Sequence, residues 1–394
     1  MTNNENYFEF LKVVVGNTDT LSFRPTDEEW ECLFLFCQRQ ALIGVGFTAV
    51  EKLHEKGIIC PKNLMRRWFS LTMQIEQRNR KMNEACKEVT AMFDRDGFDT
   101  CVLKGQGNLL NYPKNLAMRR QSGDIDLLVM PRYGGDKIRS VIAYARKHGK
   151  QKKGPICDHI DMYMPGDIEV EAHYRIGHIS SPIRYKRLLS WFDDKADECM
   201  KNRISMGFSV PTVSINVVYQ MTHVFKHFFD EGVGLRQLMD YYFVLNTWHN
   251  YNLEYQSRQS IGMHDEGLSI PAMSREEIAA VLRQFGMLKF TSAVMWVLQY
   301  VLAMPEALLI CEPNEKEGRL LLREIMEGGN FGQHDSRSRD LKTGGMLKHG
   351  IWKLQRIMRL LGSYPEEALC EPFFRVWHLG WRVYMNRIRL IPCC

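Results

Sequence analysis

The side chains of this chain best suited to chemistry are acidic and lie within one stretch. Asp124 and Asp126 flank a single isoleucine. Further on, Glu169, Glu171 and His173 alternate with Ile168, Val170 and Ala172. Side chains alternate along a strand, so each set is expected on one face of its own strand. Two carboxylates side by side repel and raise each other's pKa unless a cation lies between them. Oxygen ligands of this kind suit Mg²⁺ or Mn²⁺. A third carboxylate from a neighbouring strand would complete a site for two ions roughly 3.5–4 Å apart. On alternation alone, Glu169 and Glu171 are equal candidates for it. An Asp-x-Asp pair is common on exposed strands. Here Gly123 precedes it, the apolar run Leu127 to Met130 follows it, and a second acidic strand lies in the same stretch.

The elements that must position these residues follow from the pattern around them. Thr100 to Leu103 is a short apolar run bounded by turn signals, read as a buried strand. Asp124 to Met130 is a second strand, with an apolar tail that implies burial on both faces. Asp136 to His148 has helical spacing and stops at Gly149. Residues 159–164 and 168–173 alternate on either side of Pro165-Gly166-Asp167, which predicts a β-hairpin. Elsewhere helical spacing prevails: from Thr26-Asp27-Glu28-Glu29 onward, along 62–95, along 215–229 and 235–245, from the capping box at Ser274, and in two basic stretches at 346–361 and 372–389. The segment 251–271 is polar and reads as a loop. The expected fold class is α+β, a small mixed β-sheet domain embedded in a mostly helical protein. The expected domains are a helical region at 1–97, the sheet domain at 98–205 and a second helical region at 206–394.

Composition sets bounds. At 45% hydrophobic and 25% charged, the chain is globular and not disordered. A net charge of +6 over 394 residues permits anionic partners without demanding nucleic acid. The 11 cysteines show no C-x-x-C or zinc-like spacing, which predicts free thiols in a reducing cytoplasm. Cys393-Cys394 does not form a prenylation box. The N-terminus lacks signal-peptide character. The most apolar window, 294–310, is broken by Gln299, Pro305 and Glu306, so a buried helix is expected and no membrane span.

The combination resembles the nucleotidyltransferases of the DNA polymerase beta type. It resembles more closely a family of uncharacterised bacterial nucleotidyltransferases with a Leu-Lys-Gly element, an arginine shortly before Asp-Ile-Asp, and a later Glu-x-His strand. Here these are Leu103-Lys104-Gly105, Arg120, Asp124-Ile125-Asp126 and Glu171-Ala172-His173. The superfamily's catalytic unit would cover about 98–175, and similarity to the narrower family extends through His223, His227, Leu235-Arg236, Asp240 and the Gly-Gly-Asn-Phe-Gly loop. The resemblance implies Mg²⁺ or Mn²⁺ at Asp124, Asp126 and Glu171, and it prefers Glu171 over Glu169. It implies a nucleoside triphosphate as substrate, in-line attack by an acceptor hydroxyl and release of pyrophosphate. Lys104 and Arg120 become phosphate contacts, although Arg120 could instead pair with an aspartate and hold its loop. Gly105 and Gly123 would let backbone approach the phosphates, Gly105 at a helix N-terminus. The acceptor stays open: a small molecule, a sugar, a protein hydroxyl or RNA. In one respect the chain departs from the superfamily. A Gly-Ser pair usually opens the first helix, whereas Gly105 is followed by Gln106. The missing serine removes one phosphate contact and leaves a non-catalytic nucleotide-binding descendant as the alternative.

Three further constellations carry readings. His223 and His227 share a helix face, but the glutamate of H-E-x-x-H is absent. With Arg236 and Asp240 they either line the acceptor side of a cleft or form a buried polar cluster. Glu169 and His173 belong to substrate contact or support of the ligands. Gly328 to Gly332 lacks the Lys-Ser/Thr of a P-loop and reads as a tight turn. The basic C-terminal helices, from Lys348 to Arg389, combine arginines with Trp352, Trp377 and Trp381. They suggest either arginine stems beside a tryptophan-rich core face or a patch for RNA, another nucleic acid or a membrane surface.

Overall fold

The computed structural model describes residues 2–260, 271–335 and 346–387. It is mostly helical with one small mixed sheet, an α+β fold. In chain order the elements begin with helices α1 (Thr2–Val15), α2 (Asp27–Arg39), α3 (Ile43–Glu55) and α4 (Lys62–Arg95). Strand β1 (Phe98–Val102), helix α5 (Lys114–Ala117), β2 (Ile125–Pro131), α6 (Lys137–His148), β3 (His159–Met164) and β4 (Ile168–His173) follow. The remaining helices are α7 (Pro182–Lys201), α8 (Val213–Asp230), α9 (Leu235–Ser260), α10 (Arg275–Gln284), α11 (Leu288–Leu302), α12 (Glu315–Gly328), α13 (Met346–Leu360) and α14 (Pro365–Arg387). The backbone divides into two compact units, each drawn from three stretches of sequence.

One unit comprises Met1–Arg80, Leu109–Gln121 and Asp230–Arg339. Thr26 opens α2 with a reciprocal capping box to Glu29, and Ser274 opens α10 in the same way with Glu277. Helix α11 is buried along most of its length and packs on α1 and α12. Among the described residues, no helix is long and apolar enough to cross a membrane. The loop expected at 251–271 is a helix as far as Ser260, with 261–270 outside the described residues. Its low hydrophobicity marks an exposed helix end, supported by an Arg258–Glu254 pair one turn apart. The glycine loop at 328–332 is a tight turn, with Phe331 at φ 52°.

The other unit comprises Lys81–Asn108, Ser122–Phe229 and Asp340–Cys394. Its sheet runs β1-β2-β4-β3. β2 is antiparallel to β1 and parallel to β4, and β4 returns antiparallel to β3. One sheet face presents Ile125, Leu127, Val129, Val170, Ala172, Ile160 and Met162, packed with Met82, Cys86, Val89 and Phe93 of α4 and Val141, Ile142 and Ala145 of α6. Each fully buried side chain of this size contributes roughly 1.5–3 kcal/mol, so this face anchors the sheet. The opposite face carries the polar residues. Helix α14 begins at Pro365, seven residues before the Pro372 expected to open it, and Pro372 sits inside. Pro365 occupies the first helical position, where a missing N–H costs least. Trp352 is buried and Arg356 donates to the Phe228 carbonyl, whereas Phe373, Val376, Trp377 and Leu379 are exposed. A core face explains the α13 tryptophan but not Trp377. The Lys348 side chain, Arg389 and Cys393-Cys394 lie outside the described residues; the described cysteines are free.

Candidate active site

Asp126 is the second residue of β2 and Glu171 the fourth of β4. The parallel register makes them Cα partners. Leu103, just past β1, donates its N–H to the Asp126 carbonyl at 2.9 Å. That bond places the next residue, Lys104, whose Nζ lies 2.9 Å from Asp126 Oδ1. His173, two residues beyond Glu171 and so on the same face, puts Nε2 3.2 Å from Asp126 Oδ1 and 3.1 Å from Glu171 Oε2. The ligand atoms of Asp126, Glu171 and His173 all lie within 4.8 Å of one another. Asp124 precedes the strand and is half-buried; among the described residues it joins no such group. It still acts on Lys104 and Glu171 electrostatically.

The charges in this cluster hold one another in place. Burial opposes the charge of Lys104, but Asp126, Asp124 and Glu171 outweigh it and raise its pKa. Burial would likewise neutralise Glu171, yet His159, His173 and Lys104 hold it below the usual carboxylate range. Burial lowers the His173 pKa, while its bonds to Asp126 and Glu171 push it up to about 9. At neutral pH the imidazolium is therefore an internal counter-ion. One buried oxygen is left over. Asp126 is fully buried and its Oδ2 has no hydrogen-bond partner among the described residues. A carboxylate oxygen without a partner is costly in such a place, and it is the kind of atom a divalent cation takes. The donor set fits a metal.

The polar face extends beyond the residues read from the sequence. In β3, His159 Nε2 lies 3.1 Å from Asp161 Oδ1 and 3.7 Å from Glu171 Oε1. Asp158, buried at the start of β3, receives Lys226 of α8 at 2.6 Å. The signal was present: His159 and Asp161 alternate as cleanly as Glu169 and Glu171. Lys226 carried none, because its partner lies 68 residues away. Helix α8 also brings His223 within electrostatic reach of Lys104 and His173. Burial first, and those cations with His227 and Lys226, depress its pKa well below that of free imidazole. His227 packs against it at 4.2 Å between ring centroids.

Other predicted residues go elsewhere. Glu169 accepts the Tyr163 hydroxyl at 2.5 Å. Arg120 belongs to the first unit and forks onto Asp240 at 2.6 and 2.7 Å, where Tyr112 also donates at 2.6 Å. Arg236 donates to the Gln121 carbonyl. Arg120, Arg236 and Asp240 thus share one buried or backbone-anchoring cluster. Gly105 opens a seven-residue 3₁₀ helix. Its φ of +62° and a space only 3.3 Å from the Asp124 carbonyl explain the glycine by themselves. Gly123 is exposed, and a Cβ there would meet nothing within 4 Å.

A family model described as uncharacterised nucleotidyltransferase matches residues 26–259, more than half of the chain. The protein belongs to this nucleotidyltransferase family. No curated protein and no solved structure matches the chain. The match takes in Lys104, the Asp124–Asp126 pair, Glu171, His223 and Asp240, and it stops short of the 328–332 turn and the C-terminal helices. Membership supports nucleotidyl transfer and a nucleotide substrate. The acidic cluster on the sheet lies within the matched residues.

Proposed function

We propose that the protein moves a nucleoside monophosphate from a nucleoside triphosphate to an acceptor hydroxyl. One observation carries the reading: Asp126 and Glu171 are cross-strand partners in a buried, cation-lined face, with Asp126 Oδ2 left unpaired. Asp124, Asp126 and Glu171 would hold a divalent cation, Mg²⁺ or Mn²⁺, which when bound neutralises phosphate charge and lowers the pKa of the acceptor hydroxyl. The acceptor oxygen bonds to the α-phosphorus as the bond to the bridging oxygen breaks. The hydroxyl proton is lost, and the electron pair leaves with pyrophosphate. Lys104 keeps its charge and supplies fixed positive potential beside the phosphates. His173 holds the two carboxylates in register. His223, kept neutral, can give or accept one hydrogen bond to the acceptor. Positioning and charge supply most of the rate in such a transfer.

The test is pyrophosphate release from each nucleoside triphosphate with Mg²⁺ or Mn²⁺, in the presence of a lysate that supplies acceptors, with the modified acceptor read by mass. Metal-dependent release is expected. Calorimetric nucleotide binding without any release would favour the second reading, a binding protein without turnover. That reading is favoured by the seven-residue 3₁₀ helix and Gln106 where the superfamily has a serine.

A further inference from the structure

Helix α14 turns its apolar side outward. Its inner side packs Trp381 and Met385 against the core of the sheet and buries Glu367 and Glu371. Its outer side presents Leu369, Phe373, Val376, Trp377, Leu379 and Val383, which are 44% to 78% exposed. These residues recur mostly at intervals of three and four, so they form one stripe along the helix. A groove of about 790 Å³ continues the stripe between α14 and α7, lined by Tyr185, Leu189, Phe374 and Trp377. Single exposed apolar side chains are ordinary, but a contiguous stripe marks contact with another apolar body. The inner side is anchored in the core, so the helix cannot roll to bury the stripe.

A second observation bears on what covers it. Residues 146–153 include Arg146, Lys147, Lys150, Lys152 and Lys153, and no acid occurs between Asp136 and Asp158. The four lysines are exposed, and none of these cations has an ion pair among the described residues. The segment is fixed to the end of the stripe. Arg146 donates to Asn386 Oδ1 at 3.4 Å, and a Cβ on Gly154 would come within 2.7 Å of the same oxygen. A second copy of the chain would have to meet the lysines with acids. On α14 the acids are already engaged: Glu366 by Arg184 and the Ser181 hydroxyl, Glu367 by the Ser180 N–H, and Glu371 by Arg375. Beside the groove, Asp193 pairs with Lys137. A nucleic acid would take up the lysines and stack on aromatic rings, but it would leave the leucines and valines in water. An apolar body bordered by negative charge matches both features.

We propose that α14 and the 146–153 segment dock the protein on an anionic lipid bilayer. The helix lies in the plane of the interface with its apolar stripe among the upper acyl chains. Trp377 and Tyr384, both exposed, sit at the headgroup level that such amphipathic rings favour. The lysines meet the anionic headgroups within a Debye length of the surface. Neither signal alone holds a protein firmly; apolar burial and a polybasic patch together do. The proposal does not rest on nucleotidyl transfer.

The test is flotation of the full chain with vesicles of phosphatidylcholine alone or mixed with phosphatidylglycerol, at low and high salt. The chain should float with the mixed vesicles. Binding should fall at least about 10-fold on neutral vesicles and in high salt, as an electrostatic contribution from several cations requires. Val376→Asp puts a charge in the stripe and should abolish flotation without changing the melting temperature. Lys147→Glu combined with Lys153→Glu should remove the preference for anionic vesicles. The proposal is overturned by a parent chain that does not float, by equal binding to both vesicle types, or by Val376→Asp floating like the parent. A dimer that Val376→Asp separates, with no flotation, overturns it in favour of a second copy. RNA retention with no flotation overturns it in favour of a nucleic acid. The vesicle comparison uses the unaltered chain, so a misfolded variant does not blunt it.

Discussion

The two buried charge clusters of this protein are built on opposite plans. In one unit, Asp240 meets the planar fork of Arg120 and the Tyr112 hydroxyl, and both of its carboxylate oxygens are engaged. In the other, Asp126 and Glu171 face each other, Lys104 and His173 crowd onto Asp126 Oδ1, and Oδ2 is left alone. In the first, the carboxylate is satisfied from within the fold. The second carries more acceptor capacity than its own cations fill. A closed pair holds backbone in place; an open one is a place for a ligand. Together with Asn79, which donates to the carbonyls of Met118 and Arg120, the closed cluster holds the backbone of residues 118–121.

The difference can be broken from either side. The largest stability effect is expected at the closed pair. Asp240→Ala leaves a buried guanidinium without its counter-charge, and denaturant unfolding should show a loss of about 3–5 kcal/mol. The largest effect on turnover is expected at the open cluster. Glu171→Gln should reduce pyrophosphate release per folded molecule by more than about 100-fold, beyond what outer ligand supports cost. A loss of fold there would make the cluster structural.

A pH series sharpens the contrast. Burial would raise the Asp240 pKa, but Arg120 holds it below its ordinary value of 3.8. A depressed carboxylate stabilises the fold above its unfolded pKa and loses that contribution as pH falls through the folded value. The melting-temperature gap between parent and Asp240→Ala should therefore be constant from pH 7 to 5 and close below about pH 3.8. A gap that persists in acid would mean that packing, not charge, holds Asp240. The smallest effect is expected at the edge of the polar face. Tyr163→Phe removes only the bond to Glu169, a net loss of about 0.5–1.5 kcal/mol, and should leave turnover unchanged.

Alternation made the strands and the acidic faces legible before any coordinates. It assigned Glu169, Glu171 and His173 to one side of β4, and the register shows why Glu171 differs from Glu169. Glu171 is opposite Asp126, and Glu169 is opposite Tyr163. What period cannot supply is partnership across sequence. The insertion of β4 between β2 and β3 depends on a crossover that leaves no local mark. The pairs Arg120–Asp240 and Asp158–Lys226 join residues 120 and 68 apart. His159 and Asp161 alternated in plain view, but without a strand order nothing tied them to Glu171. The polar end of α9 shows the converse error, in which exposure imitates a loop.

The most direct measurement compares Asp126→Asn with Asp240→Ala in pyrophosphate release, each normalised to its folded fraction by circular dichroism. The open cluster is the site if Asp126→Asn folds yet releases pyrophosphate more than about 100-fold more slowly, while folded Asp240→Ala keeps more of its activity. Parent-level release from folded Asp126→Asn would contradict the assignment outright.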